Sequence, residues 1–390
     1  MPRVTSKLPH IGTTIFTVIT QRAQELGAIN LAQGFPDYDP PELLKELLAE
    51  YAARGSHQYA PMPGVLALRE RIAALFEQQH TARFDPANEI TITLGATEAL
   101  FSAILALVHR EDEVILFDPS YDSYAPAVLL AGGRPLHIPL APPEFHIDWD
   151  QVRSKVSART RLLIINTPHN PLGRVFTASD LESLERLVEH TDMLVLADEV
   201  YEHMVFDGGK HTSLCSRPAL RDRTLSVFSF GKPFHATGWR VGYAIATAEL
   251  TRELRRVHQF NTFTIATPLQ LAIAEFLTRA PGHYPELAAY YQAKRDRFIR
   301  ALQGTPLRIR PSQGTYFQLV DFSAVSSLSD DELADKLIRE AGVAAIPISP
   351  FYAQPPHSTW LRFCFAKQDA TLDAATSRIR EFAVRASRAQ

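Results

Sequence analysis

The chain has 390 residues, of which 46% are hydrophobic and 21% charged, and its formal net charge is −3. These values are ordinary for a globular protein of more than one domain, and the nearly neutral charge disfavours a nucleic-acid partner. The longest apolar stretches are too short to span a membrane, and no apolar signal-peptide segment follows the first residues. We therefore expect a cytoplasmic protein whose two cysteines, Cys215 and Cys364, are free thiols.

The beginning of the chain is typical of an irregular arm. About 40 residues show no regular pattern, and a predicted helix then follows Pro40 and runs to about Ala53. We assign residues 1–43 to an N-terminal arm that also forms part of a small domain.

The middle of the chain alternates apolar runs with helical patterns. Five nearly continuous apolar runs predict strands buried on both faces, at residues 89–94, 113–117, 161–165, 192–197 and 224–228. Strands separated by helical segments predict an α/β fold with a mostly parallel sheet sandwiched by helices. We assign residues 44–279 to this large domain.

The pattern changes after about residue 280. Helices are predicted over residues 290–302 and 330–340. Strands are predicted over residues 307–320, 343–348 and 360–365. This arrangement predicts a smaller α+β domain that covers residues 280–390.

Polar residues follow several predicted strands at the point where each strand ends. Because an open parallel sheet binds ligands beyond the carboxyl ends of its strands, these residues are candidates for one site. The segment Gly95-Ala96-Thr97 opens a helix and offers N–H groups to an anion, and Tyr121 would stack on a planar ring. Asn170 lies in a turn before a proline, where its amide would donate. The ordinary alternatives are helix capping for Thr97, core packing for Tyr121 and a turn hydrogen bond for Asn170.

Asp198 ends another apolar strand, and Tyr201 follows it by three residues. A buried carboxylate is costly without a cationic partner, and a protonated pyridine nitrogen would be such a partner. Tyr201 would then reach a phenolate oxygen of the same ring. The ordinary alternative for Asp198 is helix capping.

The segment from Ser229 to Arg240 carries the most specific signal. It places Lys232 in a tight turn, with Ser229 three residues before it and Arg240 eight residues after it. A lysine amine forms a Schiff base with an aldehyde, and serine and arginine side chains bind phosphate. The segment therefore fits an aldehyde cofactor that carries a phosphate, although a surface lysine in a loop is the ordinary alternative.

The order of these motifs is similar to that of a known family. The motifs are LAQGFPD at 31–37, QYAP at 58–61, GATEA at 95–99, Asp198-x-x-Tyr201, Ser229-x-x-Lys232 and LRFCFA at 361–366. With them the chain resembles, over nearly its whole length, the pyridoxal-phosphate-dependent class I/II aminotransferases of fold type I, the aspartate aminotransferase fold. The arm and the lysine loop are most similar to the branch of methionine and kynurenine aminotransferases.

This resemblance implies pyridoxal 5′-phosphate as the cofactor. Lys232 would form the Schiff base and act as the catalytic residue, and Asp198 would keep the pyridine nitrogen protonated. Tyr121 would stack on the ring, whose phenolate oxygen Asn170 and Tyr201 would hold. The phosphate would be bound by Ala96, Thr97, Ser229 and Arg240, and by Tyr59 of the neighbouring subunit. The resemblance thus implies a homodimer with shared active sites, and it implies no metal.

The resemblance also implies how the substrate binds. Arg362 would hold the α-carboxylate in a two-pronged bond, together with Asn170 and the backbone of Gly34. Candidates for an apolar side-chain pocket are three aromatic residues, Phe16, Tyr38 and Phe263. The implied reaction transfers the amino group of an L-amino acid, methionine or another large apolar or aromatic one, to a 2-oxo acid.

Other classes of protein fit less well. The nearest alternative is a pyridoxal-phosphate C–S β-lyase of the same fold, acting on cystathionine or cysteine conjugates, because it needs the same lysine. A transcription regulator with an aminotransferase-like domain would need a DNA-binding module, for which residues 1–31 are too short and insufficiently basic. The sequence has neither the GxGxxG motif of a nicotinamide dehydrogenase nor a P-loop.

Overall fold

Residues 4–388 are described by the computed structural model, and they form a mixed α/β architecture. The predicted arm and C-terminal domain also include residues 1–3 and 389–390, which lie outside the described residues. The helices are α1 (Ile15–Glu25), α2 (Glu42–Ala53), α3 (Leu66–His80), α4 (Gly95–Leu107), α5 (Tyr124–Leu130), α6 (Trp149–Lys155), α7 (Ala178–Val188), α8 (Ala248–Asn261), α9 (Thr267–Arg279), α10 (His283–Ala301), α11 (Asp330–Ala341) and α12 (Asp369–Arg388). Among the helices of residues 4–388, none combines the length and the apolarity that a bilayer crossing requires.

The strands form one large sheet and two small ones. They are β1 (Ile29–Asn30), β2 (Ile90–Thr93), β3 (Glu113–Asp118), β4 (Arg134–Pro139), β5 (Thr160–Asn166), β6 (Leu194–Asp198), β7 (Thr224–Ser229), β8 (Gly242–Ile245), β9 (Phe317–Asp321), β10 (Val343–Ala344), β11 (Ile346–Pro347) and β12 (Trp360–Cys364). The large sheet has the order β2-β8-β7-β6-β5-β3-β4. Its strands pair in parallel from β4 through to β7, whereas β8 is antiparallel to both β7 and β2. The prediction of an α/β fold with a mostly parallel sheet is confirmed.

The strands of this sheet are apolar because helices cover both of its faces. On β5, Leu163 and Ile165 pack in one core cluster with Leu184 of α7. The alternate residues Leu162 and Ile164 pack in another cluster, which contains α4. Successive side chains of a strand point to opposite faces, so a strand buried on both faces has no polar alternation. This explains why the apolar runs located the central strands.

The N-terminal arm is more regular than its sequence pattern indicates. Thr14 caps α1 by accepting a hydrogen bond from the Thr17 N–H, and Ile19 and Ala23 form the buried face of this helix. The short strand β1 then pairs in parallel with β10. The prediction of an irregular arm is therefore wrong for residues 15–25, because a buried face of two residues gives little helical periodicity.

A second core lies between the C-terminal helices and the small sheets. Strands β11, β12 and β9 form an antiparallel sheet in that order. Buried side chains of this core include Phe298, Leu337, Phe363 and Ile379. The predicted strand over 307–320 is wrong for most of its length, because Pro311 has no N–H to donate and β9 begins only at Phe317. The division of the chain after residues 43 and 279 stays a prediction.

Candidate active site

Five strands of the large sheet end around one pocket. Segments that follow β2, β3, β5, β6 and β7 supply its walls, which is where an open parallel sheet binds ligands. The lining residues are Ala96, Thr97, Leu100, Tyr121, Asn166, Asn170, Asp198, Val200, Tyr201, Ser229, Lys232 and Arg240. The fold thus brings together the strand-end candidates and the two phosphate candidates Ser229 and Arg240.

Lys232 lies in the turn that follows β7. Inside this turn the Gly231 N–H donates to Ser229 Oγ at 3.1 Å. The Lys232 amine lies 5.6 Å from the ring centre of Tyr201 and 5.8 Å from that of Tyr316. Burial and the positive charge of Arg240 lower the pKa of Lys232 to about 8. Near neutral pH this amine therefore has a larger free-base fraction than an ordinary lysine.

Asp198 is the last residue of β6, and its carboxylate is buried at the pocket. Tyr124 Oη donates to Asp198 Oδ2 at 2.6 Å, and the Val200 N–H donates to Oδ1 at 3.4 Å. Burial raises the pKa of Asp198 to about 6, although these hydrogen bonds and the charge of Lys232 oppose the shift. A cation bound beside this carboxylate would offset the cost of its burial.

Two asparagines connect the end of β5 to the end of β6. Asn166 Nδ2 donates to the Asp198 carbonyl at 2.9 Å, and Asn166 Oδ1 accepts from the Asn170 N–H at 2.7 Å. The side chain of Asn170 accepts from Arg362 Nη1 through its Oδ1, at 2.7 Å. Because the guanidinium holds Oδ1, Nδ2 is the atom of the Asn170 amide that remains to donate into the pocket.

Hydrogen-bond donors gather where α4 begins. The N–H groups of Gly95, Ala96 and Thr97 have no acceptor within the helix, since they belong to its first turn. Arg240, in a left-handed conformation with φ 55°, donates to Thr97 Oγ1 at 3.5 Å. A Cβ atom on Gly95 would lie 2.8 Å from Arg240 Nη2, so glycine leaves the space that the guanidinium needs. This set of donors suits an anion.

Arg362 lies on β12 with 0% of its surface exposed. Besides its bond to Asn170, it donates through Nη2 to the Ala32 carbonyl at 2.8 Å. Its guanidinium lies 3.9 Å from the ring centre of Phe317 and 5.2 Å from that of Phe16. Burial lowers the pKa of Arg362 to about 10, and Nε has no hydrogen-bond partner among the described residues. A buried planar cation with an incomplete set of acceptors suits a carboxylate.

Three predicted site residues lie outside the pocket lining: Arg362, which bonds to the lining residue Asn170, and Tyr59 and Gly34. The Tyr59 side chain is 84% exposed and packs edge-on against the Phe263 ring, with the centroids 5.5 Å apart. Gly34 packs against Phe317, and a Cβ atom at this position would lie 2.8 Å from the Phe317 ring. Gly34 is therefore next to the aromatic ring that covers Arg362, while Tyr59 does not line the pocket of its own chain.

Four residues belong to the site or support it without having been predicted. Asn166 ends β5 as Asp198 ends β6, so the rule that located Asp198 would also have found it. Tyr124 is buried on α5, and a buried tyrosine hydroxyl needs a partner, but its sequence context does not identify Asp198 as that partner. Leu100 and Val200 line the pocket with apolar side chains, for which the sequence carries no distinguishing signal.

The comparison with protein families agrees with this geometry. The chain belongs to the family "Aminotransferase class I and II", whose family model matches residues 27–379. It is an enzyme that transfers amino groups, and the resemblance found in its motifs is confirmed.

Individual relatives cover almost the whole chain. The methionine aminotransferase of Escherichia coli (strain K12) is 51% identical over 377 residues, which are 96% of this chain and 97% of the relative. The kynurenine–oxoglutarate transaminase 1 of Mus musculus is 36% identical over 395 residues, covering 92% of this chain and 93% of the relative. Among solved structures, the chain is similar to YbdL from Escherichia coli, for which a methionine aminotransferase function was identified. The TM-score is 0.96 at 50% identity, and the match covers 98% of this chain and 100% of the YbdL chain.

Proposed function

We propose that the chain is a pyridoxal-5′-phosphate-dependent aminotransferase. Its amino donor is methionine or another large apolar or aromatic L-amino acid, and its acceptor is a 2-oxo acid. One observation carries the proposal: the pocket combines the amine of Lys232, the buried carboxylate of Asp198 and the donors at the start of α4. The 51% identity to a methionine aminotransferase supports the choice of donor.

The residues of the pocket fit pyridoxal phosphate at three points. The space that Gly95 leaves beside Arg240, with the hydroxyl of Ser229 nearby, suits the phosphate. Asp198 suits a protonated pyridine nitrogen, because its own burial is costly without a cation. Lys232 suits the aldehyde, because its amine loses its proton more readily than that of an exposed lysine.

The remaining lining residues have matching roles in the proposal. Tyr121 stacks on the cofactor ring, and Tyr201 and the Nδ2 of Asn170 donate to its phenolate oxygen. The N–H groups of Ala96 and Thr97 complete the phosphate site.

When bound, pyridoxal phosphate supplies an electrophilic aldehyde and a ring that accepts the electron pair released at the substrate Cα. The chain would supply the proton transfer: Lys232 Nζ would take the proton from the substrate Cα and deliver it to the former aldehyde carbon of the cofactor, as transfer of the amino group requires. A base whose pKa lies near the working pH does this well, because both of its protonation states are populated. Asp198 keeps a positive charge on the ring nitrogen, which favours the loss of the Cα proton.

Arg362 binds the substrate α-carboxylate in this proposal. The bonds to Asn170 and to the Ala32 carbonyl hold its guanidinium in place, so little freedom is lost when a carboxylate binds. The Phe16 ring, 5.2 Å from that guanidinium, supports an apolar side-chain pocket close to the carboxylate. Of the other two pocket candidates, Tyr38 packs against His235 and Phe263 packs against Tyr59. Phe16 is therefore the best supported of the three, because its ring lies near the Arg362 guanidinium.

The Lys232→Ala variant tests the proposal. Wild-type protein should be yellow and should become irreversibly labelled when borohydride reduces the link between lysine and cofactor. Lys232→Ala should lose this link and about 10²- to 10⁴-fold in turnover. The matched control is Lys210→Ala, which removes an exposed lysine and should leave both properties unchanged. An active Lys232→Ala enzyme would refute the assignment.

A product assay tests the reaction and the donor. Methionine and a 2-oxo acid should yield the 2-oxo acid of methionine and a new amino acid in equal amounts, without free ammonia. A C–S β-lyase given a cysteine conjugate would instead release ammonia, pyruvate and a thiol. Release of ammonia, or a preference for aspartate over methionine, would contradict the proposal.

The proposed active form is a homodimer with shared sites. Tyr59 and Phe260 are 84% and 87% exposed, and the half-exposed Phe263 packs on Tyr59, so this face presents several aromatic rings to solvent. Such a surface suits burial against a second copy, which would bring its Tyr59 to a phosphate site that the same chain's Tyr59 does not line. The proposed compartment is the cytoplasm, and the buried, unpaired Cys215 and Cys364 agree with reducing conditions.

Hybrid dimers test the shared site. Lys232→Ala chains lack the amine but supply Tyr59, and Tyr59→Ala chains supply the amine but lack the tyrosine. When the two defective proteins are mixed and exchange subunits, activity should reappear at about a quarter of the wild-type value, because half of the dimers hold one complete site. No recovery in a mixture shown by mass to contain hybrid dimers would exclude a shared site.

A further inference from the structure

The carboxylate of Glu98 has an unusual place, because it lies in the first turn of the helix that offers its N–H groups to an anion. Glu98 Oε2 accepts from the Leu94 N–H at 3.1 Å. Glu98 Oε1 accepts from Ser102 Oγ at 2.6 Å and from His258 Nδ1 at 3.0 Å. Glu98 and His258 are both buried. The carboxylate therefore caps α4 at Leu94 and leaves the next N–H groups to face the pocket.

A negative charge at this position opposes the binding of a phosphate unless another group neutralises it. His258 is placed to do so. Its Nδ1 faces the Glu98 carboxylate, and its Nε2 faces the Met62 carbonyl at 3.3 Å. Each ring nitrogen of His258 thus faces an oxygen acceptor, and this arrangement suits an imidazolium ion, which donates at both nitrogens. Glu98 and His258 then form a pair with no net charge toward the pocket.

The second contact of His258 leads to the loop that carries Tyr59. Met62, which accepts from His258, is three residues beyond Tyr59. The same loop is held at the Gln58 carbonyl by Thr267 Oγ1, at 2.6 Å. His258 thus connects the start of α4 to the loop over residues 58–63.

We propose that Glu98 and His258 form a positioning pair for the phosphate site. Glu98 fixes the first turn of α4, and His258 cancels the charge of Glu98 and holds the Tyr59 loop. Neither residue lines the pocket. The inference rests on the proposed function, since it concerns the phosphate of the cofactor named there.

Two ligands that differ only in the phosphate test the pair. The test measures, by absorbance titration, the affinity of the apoenzyme for pyridoxal 5′-phosphate and its affinity for pyridoxal. His258→Gln leaves Glu98 charged and uncompensated, so binding of pyridoxal phosphate should weaken by about tenfold while binding of pyridoxal stays unchanged. The double variant Glu98→Gln with His258→Gln removes both charges and keeps amides that can hydrogen-bond, so its affinity for pyridoxal phosphate should return to within about threefold of wild type.

The matched control is His80→Gln. His80 is also a histidine whose side chain has little exposure, and it pairs at 3.3 Å with Glu202, whose side chain is 6% exposed, but it does not line the pocket. An equal loss for both ligands in His258→Gln, or the same selective loss in His80→Gln, would overturn the proposal. If His258→Gln does not fold, the double variant decides, since a loss of tenfold or more there refutes charge compensation. A wild-type apoenzyme that takes up neither ligand would refute the proposed function itself.

Discussion

The Tyr124 hydroxyl is the group whose removal tests most directly how the protein controls the acidity of Asp198. Tyr124→Phe removes one oxygen and keeps the ring, so the packing around α5 should not change. The lost hydrogen bond is 2.6 Å long and joins two buried groups, one of them a carboxylate. Such a bond to a charged acceptor is worth about 1.5–3 kcal/mol, which is about a ten- to hundredfold change in an equilibrium constant.

The sign of the effect follows from which form of Asp198 the hydroxyl stabilises. Tyr124 donates to the charged carboxylate, so its loss should raise the pKa of Asp198 above the value of about 6 that burial already gives it. An infrared titration of the apoenzyme measures this pKa, and the signal is assigned by its absence in Asp198→Asn. Tyr352→Phe is the matched control, because Tyr352 Oη donates to the Leu140 carbonyl at 3.0 Å, in a different part of the core. An unchanged pKa in Tyr124→Phe, or an equal change in the control, would refute the reasoning.

Three further variants or conditions probe other parts of the site. Arg362→Lys keeps the charge but loses the planar fork, so the KM for the amino acid should rise about ten- to hundredfold while cofactor absorbance per subunit is unchanged; loss of cofactor would indicate a structural role. Gly95→Ala should weaken binding of pyridoxal phosphate and lower the free energy of unfolding by about 1–2 kcal/mol, because the φ of Gly95 is +71° and the new Cβ would displace Arg240. The control Gly238→Ala should have neither effect, because no atom lies within 4 Å of the Cβ that it would add. Because burial lowers the pKa of Lys232 to about 8 and only the free amine attacks an aldehyde, capture of pyridoxal phosphate in stopped-flow experiments should speed up toward pH 8 and level off above it. A rate that continues to rise to about pH 10 would mean an ordinary lysine.

The parts of the site that the sequence predicts share one physical cause. A strand buried on both faces is a continuous apolar run, so the first polar residue after it is visible in the sequence. Asp198 and Lys232 follow such runs, and the carboxyl ends of parallel strands meet at one edge of the sheet. Their convergence could therefore be predicted without knowledge of any contact.

The parts that could not be predicted depend on contacts between distant segments. Nothing near Tyr124 in the sequence indicates that its hydroxyl bonds to Asp198, 74 residues away. The reversed direction of β8 is equally invisible, since an antiparallel strand that is buried on both faces is as apolar as a parallel one. The exposure of Tyr59 in a single chain also became clear only from the structure, because it depends on a surface and not on a local pattern.

The hydrogen bonds of Arg362 have a consequence for the order in which the site is built during folding. They join Arg362 on β12 to Asn170 and Ala32, which lie 192 and 330 residues earlier in the chain. By contrast, the donors at the start of α4 and the lysine turn all lie between residues 95 and 240. Contacts that close long loops carry the largest entropic cost and form late. The phosphate-binding donors at the start of α4 and Arg240 can therefore assemble before the C-terminal strand β12 docks. Arg362, which binds the substrate carboxylate, reaches its place only in that last step. Mutations that loosen the C-terminal region should consequently impair substrate binding before they impair retention of the cofactor.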